Sequence, residues 1–158
     1  LGFDLDARIN LTEQFDYITK FSFVKGYERK DNIPLISMPP ANLSSVIEYK
    51  NQRLNNLKLQ LESNYVFRQN EFPDTNFEVF LPLSETTEVL DLSSPPEAYH
   101  LINLNADADF NLFGETDLSL GLTVNNLFNT GYRDYLNRLR YFADDLGRNI
   151  VLRIKINY

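Results

Sequence analysis

The stretch from Asn129 to Arg148 carries four arginines, three aspartates and three tyrosines, and offers the most chemistry of any part of the chain. The guanidinium forks of Arg133, Arg138, Arg140 and Arg148 suit bidentate contact with carboxylate or catecholate oxygens, and Tyr132, Tyr135 and Tyr141 supply flat contact area. Arg138, Arg140, Tyr135 and Tyr141 are therefore the candidate substrate-binding residues, capturing an anion. The competing use is structural: Asp134, Asp144 and Asp145 interleave with the arginines, and opposite charges so placed pair to fix a loop.

Other candidates are thinner. Asp107 and Asp109 stand two apart on one strand face and imitate a carboxylate pair, but they read as ordinary polar-face residues. His100 is the only histidine, and a first-row metal needs several ligands, so no metal site is expected. Asp74, Glu78, Glu85, Glu88 and Asp91 form an acidic loop with oxygen ligands for a hard cation, although a solvated loop is the expectation. There is no cysteine, phosphate-binding glycine loop, nucleophile elbow or zinc motif. The expectation is a protein that is not an enzyme and needs no cofactor.

The elements that position these residues have period two. Leu1, Phe3, Leu5, Ala7, Ile9 and Leu11 alternate with Gly2, Asp4, Asp6, Arg8 and Asn10. A second run places Tyr17, Thr19, Phe21 and Phe23 on one face and continues to Tyr27; a third holds Leu43, Ser45, Ile47 and Tyr49. The fourth sets Leu57, Leu59, Leu61, Tyr65 and Phe67 against Lys58, Gln60, Glu62, Asn64 and Arg68. The fifth carries Ile102, Leu104, Ala106, Ala108 and Phe110, the sixth Leu118, Leu120, Leu122 and Val124, and the last Ile150, Leu152, Ile154, Ile156 and Tyr158. Seven two-faced runs make an all-β chain.

Thr12–Gln14, Asn51–Asn56 and Gly114–Thr116 are short turns, whereas Glu28–Pro40, Gln69–Glu97 and Asn129–Arg148 are long, polar connections. Short turns at one rim and long loops at the other are the habit of outer-membrane barrels, as are strands of about 9–11 residues and aromatic residues near strand ends. The fold expected is an antiparallel transmembrane β-barrel segment of about seven up-and-down strands. An odd count leaves the first and last strands parallel, so the barrel is expected to be incomplete, a slice of a larger one. The chain opens at Leu1 inside an alternating run with no leader, as expected if a leader was removed or the chain is a piece of something longer. A soluble β-sandwich binding module is the alternative fold reading.

Composition bounds the rest. The 158 residues carry a net charge of −7, which argues against a nucleic-acid partner. Hydrophobic residues make up 43% and charged residues 23%, so disorder is not expected and the length suits one domain. No apolar run reaches the roughly 18 residues of a membrane helix, which leaves strands that hide a lipid face in alternate positions.

Several segments carry a resemblance. Val124-Asn125-Asn126-Leu127-Phe128-Asn129-Thr130-Gly131-Tyr132 resembles the "NLFN…Y" motif near the end of TonB-dependent outer-membrane receptors. Gly147-Arg148-Asn149 and the strand after it resemble that family's "GRN" segment and closing strand, and Ile33-Pro34-Leu35 with Met38-Pro39-Pro40 resembles its "PL…PP" segment. Tyr135–Tyr141 and Asp144–Leu146 look like receptors from Bacteroidota. The terminal aromatic, Tyr158, matches the position read by the barrel-assembly machinery, where Phe is commoner.

The resemblance implies that residues 1–158 are the last seven strands of a roughly 22-stranded plugged barrel. The plug domain and N-terminal strands of such a receptor are not in this sequence. It further implies an outer-membrane receptor and active transporter of a Gram-negative bacterium, energised through TonB acting on the plug. The implied cargo is a scarce nutrient: an iron–siderophore, haem or other metal complex. Its surroundings would be the lipid bilayer, lipopolysaccharide and the rest of the parent barrel. A diffusive porin is the alternative within the same architecture, with an outer-membrane enzyme behind it.

Overall fold

In a computed structural model, described over residues 1–74, 76–90, 93–111 and 117–157, the chain is all-β. Its strands are β1 (Gly2–Asn10), β2 (Phe15–Val24), β3 (Asn42–Asn51), β4 (Leu57–Val66), β5 (Phe77–Leu81), β6 (Thr86–Leu90), β7 (Tyr99–Asn111), β8 (Asp117–Asn125) and β9 (Asn149–Asn157). Seven of them make one antiparallel sheet in the order β1-β2-β3-β4-β7-β8-β9, and β5 and β6 form a separate hairpin. All seven alternating runs are strands of the large sheet. Each neighbour in it follows from the previous sheet strand through one connection, so the sheet is up-and-down throughout. Among the described residues β1 and β9 do not pair, and the sheet is not closed into a barrel.

Register explains why the alternation was so regular. The pairs Ile9↔Tyr17, Tyr17↔Ile47, Ile47↔Leu61, Leu61↔Leu104, Leu104↔Val124 and Val124↔Ile150 draw one apolar row across all seven strands. A slip of one residue would replace Ile9 with Arg8 or Asn10, Leu61 with Gln60 or Glu62, and Leu104 with Asn103 or Asn105, moving polar side chains into that row. Aromatic rings collect at both ends of the same face: Phe15 and Tyr49 pack with tilted rings 4.9 Å apart near the short turns, and Tyr65 and Phe67 pack edge-on at 4.7 Å near the long loops.

Little of this apolar surface is covered. Among the described residues the buried apolar side chains are Val66, Val124 and Tyr135. Ile47, Leu61, Leu152, Ile154 and Ile156 all lie exposed, and among the described residues no second sheet packs on them.

The connections sort by rim. The turns after β1 and β3 are short. Thr12 Oγ1 accepts the N–H groups of Gln14 and Phe15 in the first, and Asn55 and Asn56 adopt left-handed backbone in the second, a conformation asparagine tolerates. The expected Gly114–Thr116 turn lies outside the described residues. At the opposite rim run residues 25–41, 67–98 and 126–148.

Two boundaries differ from the sequence expectation. The second strand stops at Val24, and Tyr27 makes only an isolated bridge with Pro34. Gly26 lies under Leu35 there; a Cβ on it would sit 2.8 Å from Leu35 Cδ1. The fourth strand ends at Val66 rather than Arg68. The stretch Gln69–Glu97, expected as a plain loop, contains the β5–β6 hairpin. Each of those strands is five residues long, too short for alternation to stand out in an acidic, proline-flanked segment.

Candidate functional site at the long-loop rim

The loop between β8 and β9 is built on two asparagines of the Asn126–Asn129 motif. Asn126 has φ 52° and Asn129 φ 56°, both in the left-handed region where a short polar side chain is favoured over most others. The buried Asn126 side chain brackets Thr130, accepting its N–H at 2.8 Å and donating to its carbonyl at 2.8 Å. Asn126 N–H in turn donates to Asn103 Oδ1 at 2.9 Å, tying the loop to β7. Asn129 Oδ1 accepts the Arg148 N–H at 2.8 Å, so the "NLFN" and "GRN" segments touch. Gly147 leaves room at that junction, where a Cβ would lie 2.6 Å from Asn129 Oδ1 and force that side chain to shift.

The acidic residues organise the middle of the loop. Asp145 accepts the Asp134 N–H at 2.7 Å and the Asn137 side-chain amide at 2.6 Å. Asp134 accepts the Tyr99 hydroxyl at 2.7 Å and the Leu136 N–H at 2.7 Å. Asn137 caps a short 3-10 helix, Arg138–Tyr141, by accepting the Leu139 N–H at 2.9 Å. Arg133 pairs with Asp144 at 2.6 Å and donates to the Arg140 carbonyl. Burial raises the Tyr132 phenol pKa, and the negative charges of Asp145 and Asp134 add to that.

All four candidate binding residues line one cleft. Tyr135, Arg138, Arg140 and Tyr141 face Ile36, Ser37, Pro73 and Ser93 across a volume of about 300 Å³, so all three long loops contribute walls. Their roles diverge. Arg140 donates to the Tyr135 carbonyl and to the Tyr141 hydroxyl, and its guanidinium lies 4.3 Å and 4.8 Å from the centres of those two rings. Arg140 thus holds the aromatic walls in place. Arg138 is exposed, and among the described residues no hydrogen bond or ion pair engages its side chain. Arg133 thus pairs with an aspartate as the loop-fixing reading expects, whereas Arg140 fixes the loop through a carbonyl, a hydroxyl and two rings.

The other two loops are tied to each other. Lys25 Nζ donates to Glu71 Oε1 at 2.6 Å, and the Gln69 amide donates to the Met38 carbonyl at 2.8 Å. The hydrogen bond to Glu71 raises the Lys25 pKa, and the bonds from Lys25 and Tyr27 lower that of Glu71. Tyr27 is raised for the same reason, by its bond to Glu71.

The polar face below the cleft is a charge network that sequence reasoning left unresolved. Glu48 is the most buried large side chain, 1% exposed, and sits 3.3 Å from Arg8, 2.6 Å from Lys50 and 3.0 Å from Lys58. Asp107 lies opposite Gly121, which lies opposite Arg153, and the absent side chain lets Arg153 reach over β8 to Asp107 at 3.1 Å. Asp107 is thus an ion-pair partner, and Asp109 accepts the Ser119 hydroxyl at 2.7 Å. His100 contacts Ser63 Oγ at 2.8 Å on the apolar face. Among the described residues no group of three or more potential ligands is placed to hold a metal ion.

Asp91 of the acidic loop and the terminal Tyr158 lie outside the described residues. Compared with family models, curated proteins and solved structures, the chain finds no match. Among the described residues no helix is long and apolar enough to cross a membrane, which has no bearing on crossing by strands.

Proposed function

We propose that this sheet is part of the wall of an outer-membrane β-barrel, the C-terminal portion of a TonB-dependent receptor that imports a metal chelate. One observation carries the reading: an open sheet of seven long strands whose apolar face is continuous, ringed with aromatics at both ends and almost uncovered. A soluble domain of this length buries most of its large apolar side chains in one core, and lipid removes that requirement. Nine-residue strands are about 30 Å long at the usual rise. Tilted by about 35–45° as barrel strands are, they cross about 21–25 Å, close to the apolar band of about 25 Å on outer-membrane barrels. The open edges at β1 and β9 then receive the neighbouring strands of the parent barrel.

In this reading the polar face lines the interior, and the long loops face outward. Arg138 supplies the guanidinium that contacts an anionic chelate, Tyr135 and Tyr141 give it flat walls, and Arg140 positions both rings. Charge-assisted contacts of this kind contribute about 1.5–3 kcal/mol each. Arg138→Ala is expected to weaken chelate binding by the full-length receptor about tenfold or more while leaving the loop resistant to protease. Arg140→Ala is expected to loosen the loop as well. If Arg138→Ala leaves affinity unchanged, capture does not occur through this cleft.

Transport separates the receptor from a diffusive porin. Uptake of ferric chelate by cells expressing the full-length protein should disappear when TonB is deleted. Uptake that persists without TonB would favour the porin.

A further inference from the structure

Among the described residues the β5–β6 hairpin packs on no strand of the large sheet, and a two-stranded ladder alone is marginal in water. Its surface is nonetheless apolar in places: Phe80 is 59% exposed, Val89 64%, and Leu83 at the turn fully so. Residues 69–98 contain no lysine, arginine or histidine. Glu71 and Glu97 are neutralised from outside the segment by Lys25 and Arg68, while among the described residues no ion pair reaches Glu78, Glu85 or Glu88. The two strands also differ. Thr86, Thr87, Glu88 and Val89 of β6 are exposed in a row, whereas Val79 and Leu81 of β5 are half-buried.

We infer that this hairpin is a docking arm for a second protein, which adds a strand bearing lysine or arginine to the open edge of β6. Strand addition completes the backbone hydrogen bonds that an edge leaves unmade, and alternate side chains set specificity. Glu85 and Glu88 select basic residues by charge complementarity, and Val89 takes an apolar neighbour. Phe80, Leu83 and Val89 give such a partner apolar surface to cover. The inference concerns the outer rim and does not depend on what the barrel transports.

The test uses the full-length protein in detergent micelles with a short acetylated peptide of alternating lysine and valine. The expected result is saturable binding that slows amide exchange at Thr86–Val89, weakened about tenfold by the double substitution Glu85→Lys, Glu88→Lys. The matching glutamate–valine peptide should not bind. Three results would overturn the inference. In the first the lysine peptide fails to bind, and the glutamates then only guard an edge against aggregation. In the second both peptides bind alike. In the third vesicles containing lipopolysaccharide protect the same amides without peptide, which would make the partner a lipid headgroup.

Discussion

Asn129 Oδ1 accepts the backbone N–H of Arg148 at 2.8 Å, and this contact between residues nineteen apart closes the loop that carries the candidate binding residues. The cleft therefore rests on a junction remote from its own side chains. Gly147→Ala drives a Cβ against that oxygen, 2.6 Å away, and must displace the asparagine. The expected cost is about 1–3 kcal/mol, the range for overpacking or for stranding a polar group. Trypsin should then cut the 126–148 loop several-fold faster, with the strands left intact.

Glu48 is the corresponding point on the polar face. Arg8 reaches it from β1 across the whole of β2, and Lys50 and Lys58 approach it from β3 and β4. Removing the carboxylate leaves three cations facing each other, so Glu48→Ala is expected to lower stability by about 2–3 kcal/mol. Arg8→Ala removes one half-exposed partner and should cost about 1 kcal/mol or less. Urea midpoints of the full-length protein in detergent measure both. Equal effects would mean that the glutamate is not the hub.

The tie between the first two long loops should depend on pH. Glu71 is lowered in the folded chain, so its contribution is complete above the ordinary carboxylate value of about 4.3 and disappears as pH falls through the folded value. Lys25 is raised, so its contribution is complete below about 10.4 and is lost as pH climbs through the folded value. The link therefore holds between about pH 5 and 10. Amide exchange at Leu35, whose N–H donates to the Gly26 carbonyl at 2.9 Å, should accelerate outside that window after correction for intrinsic rates. Glu71→Gln should remove the acid limb and lower the Tyr27 phenol pKa. An unchanged Tyr27 titration would contradict the arrangement.

Much of this was legible in the sequence, for a physical reason. A strand with one solvated and one apolar face writes its period directly into residue type, so Leu118–Val124 and Ile150–Ile156 were unambiguous. The hairpin at 77–90 was not legible: its alternation is brief, and Glu78 and Glu88 break its apolar pattern on both faces. The side chains Arg138, Arg140, Tyr135 and Tyr141 were picked out by chemistry, but their division of labour was not. Which arginine is tied down depends on where the Tyr135 carbonyl and the Tyr141 hydroxyl fall after the chain has turned at Asn137. Asn126, Asn129 and Gly147 were visible only as motif letters; the left-handed backbone and the close approach that require them appear in three dimensions alone.

The chain contains no cysteine, so single cysteines along β9 report on the central claim without background from its own sequence. In the full-length protein reconstituted in lipid, spin labels at Ile150, Leu152, Ile154 and Ile156 should be accessible to oxygen and shielded from a water-soluble nickel chelate. Labels at Asn149, Arg153, Lys155 and Asn157 should show the reverse, giving a strict period of two in which one phase lies in lipid and the other in water. Equal exposure of both phases to the nickel reagent, or burial of the Ile150–Ile156 set against a second protein sheet, would contradict the membrane barrel.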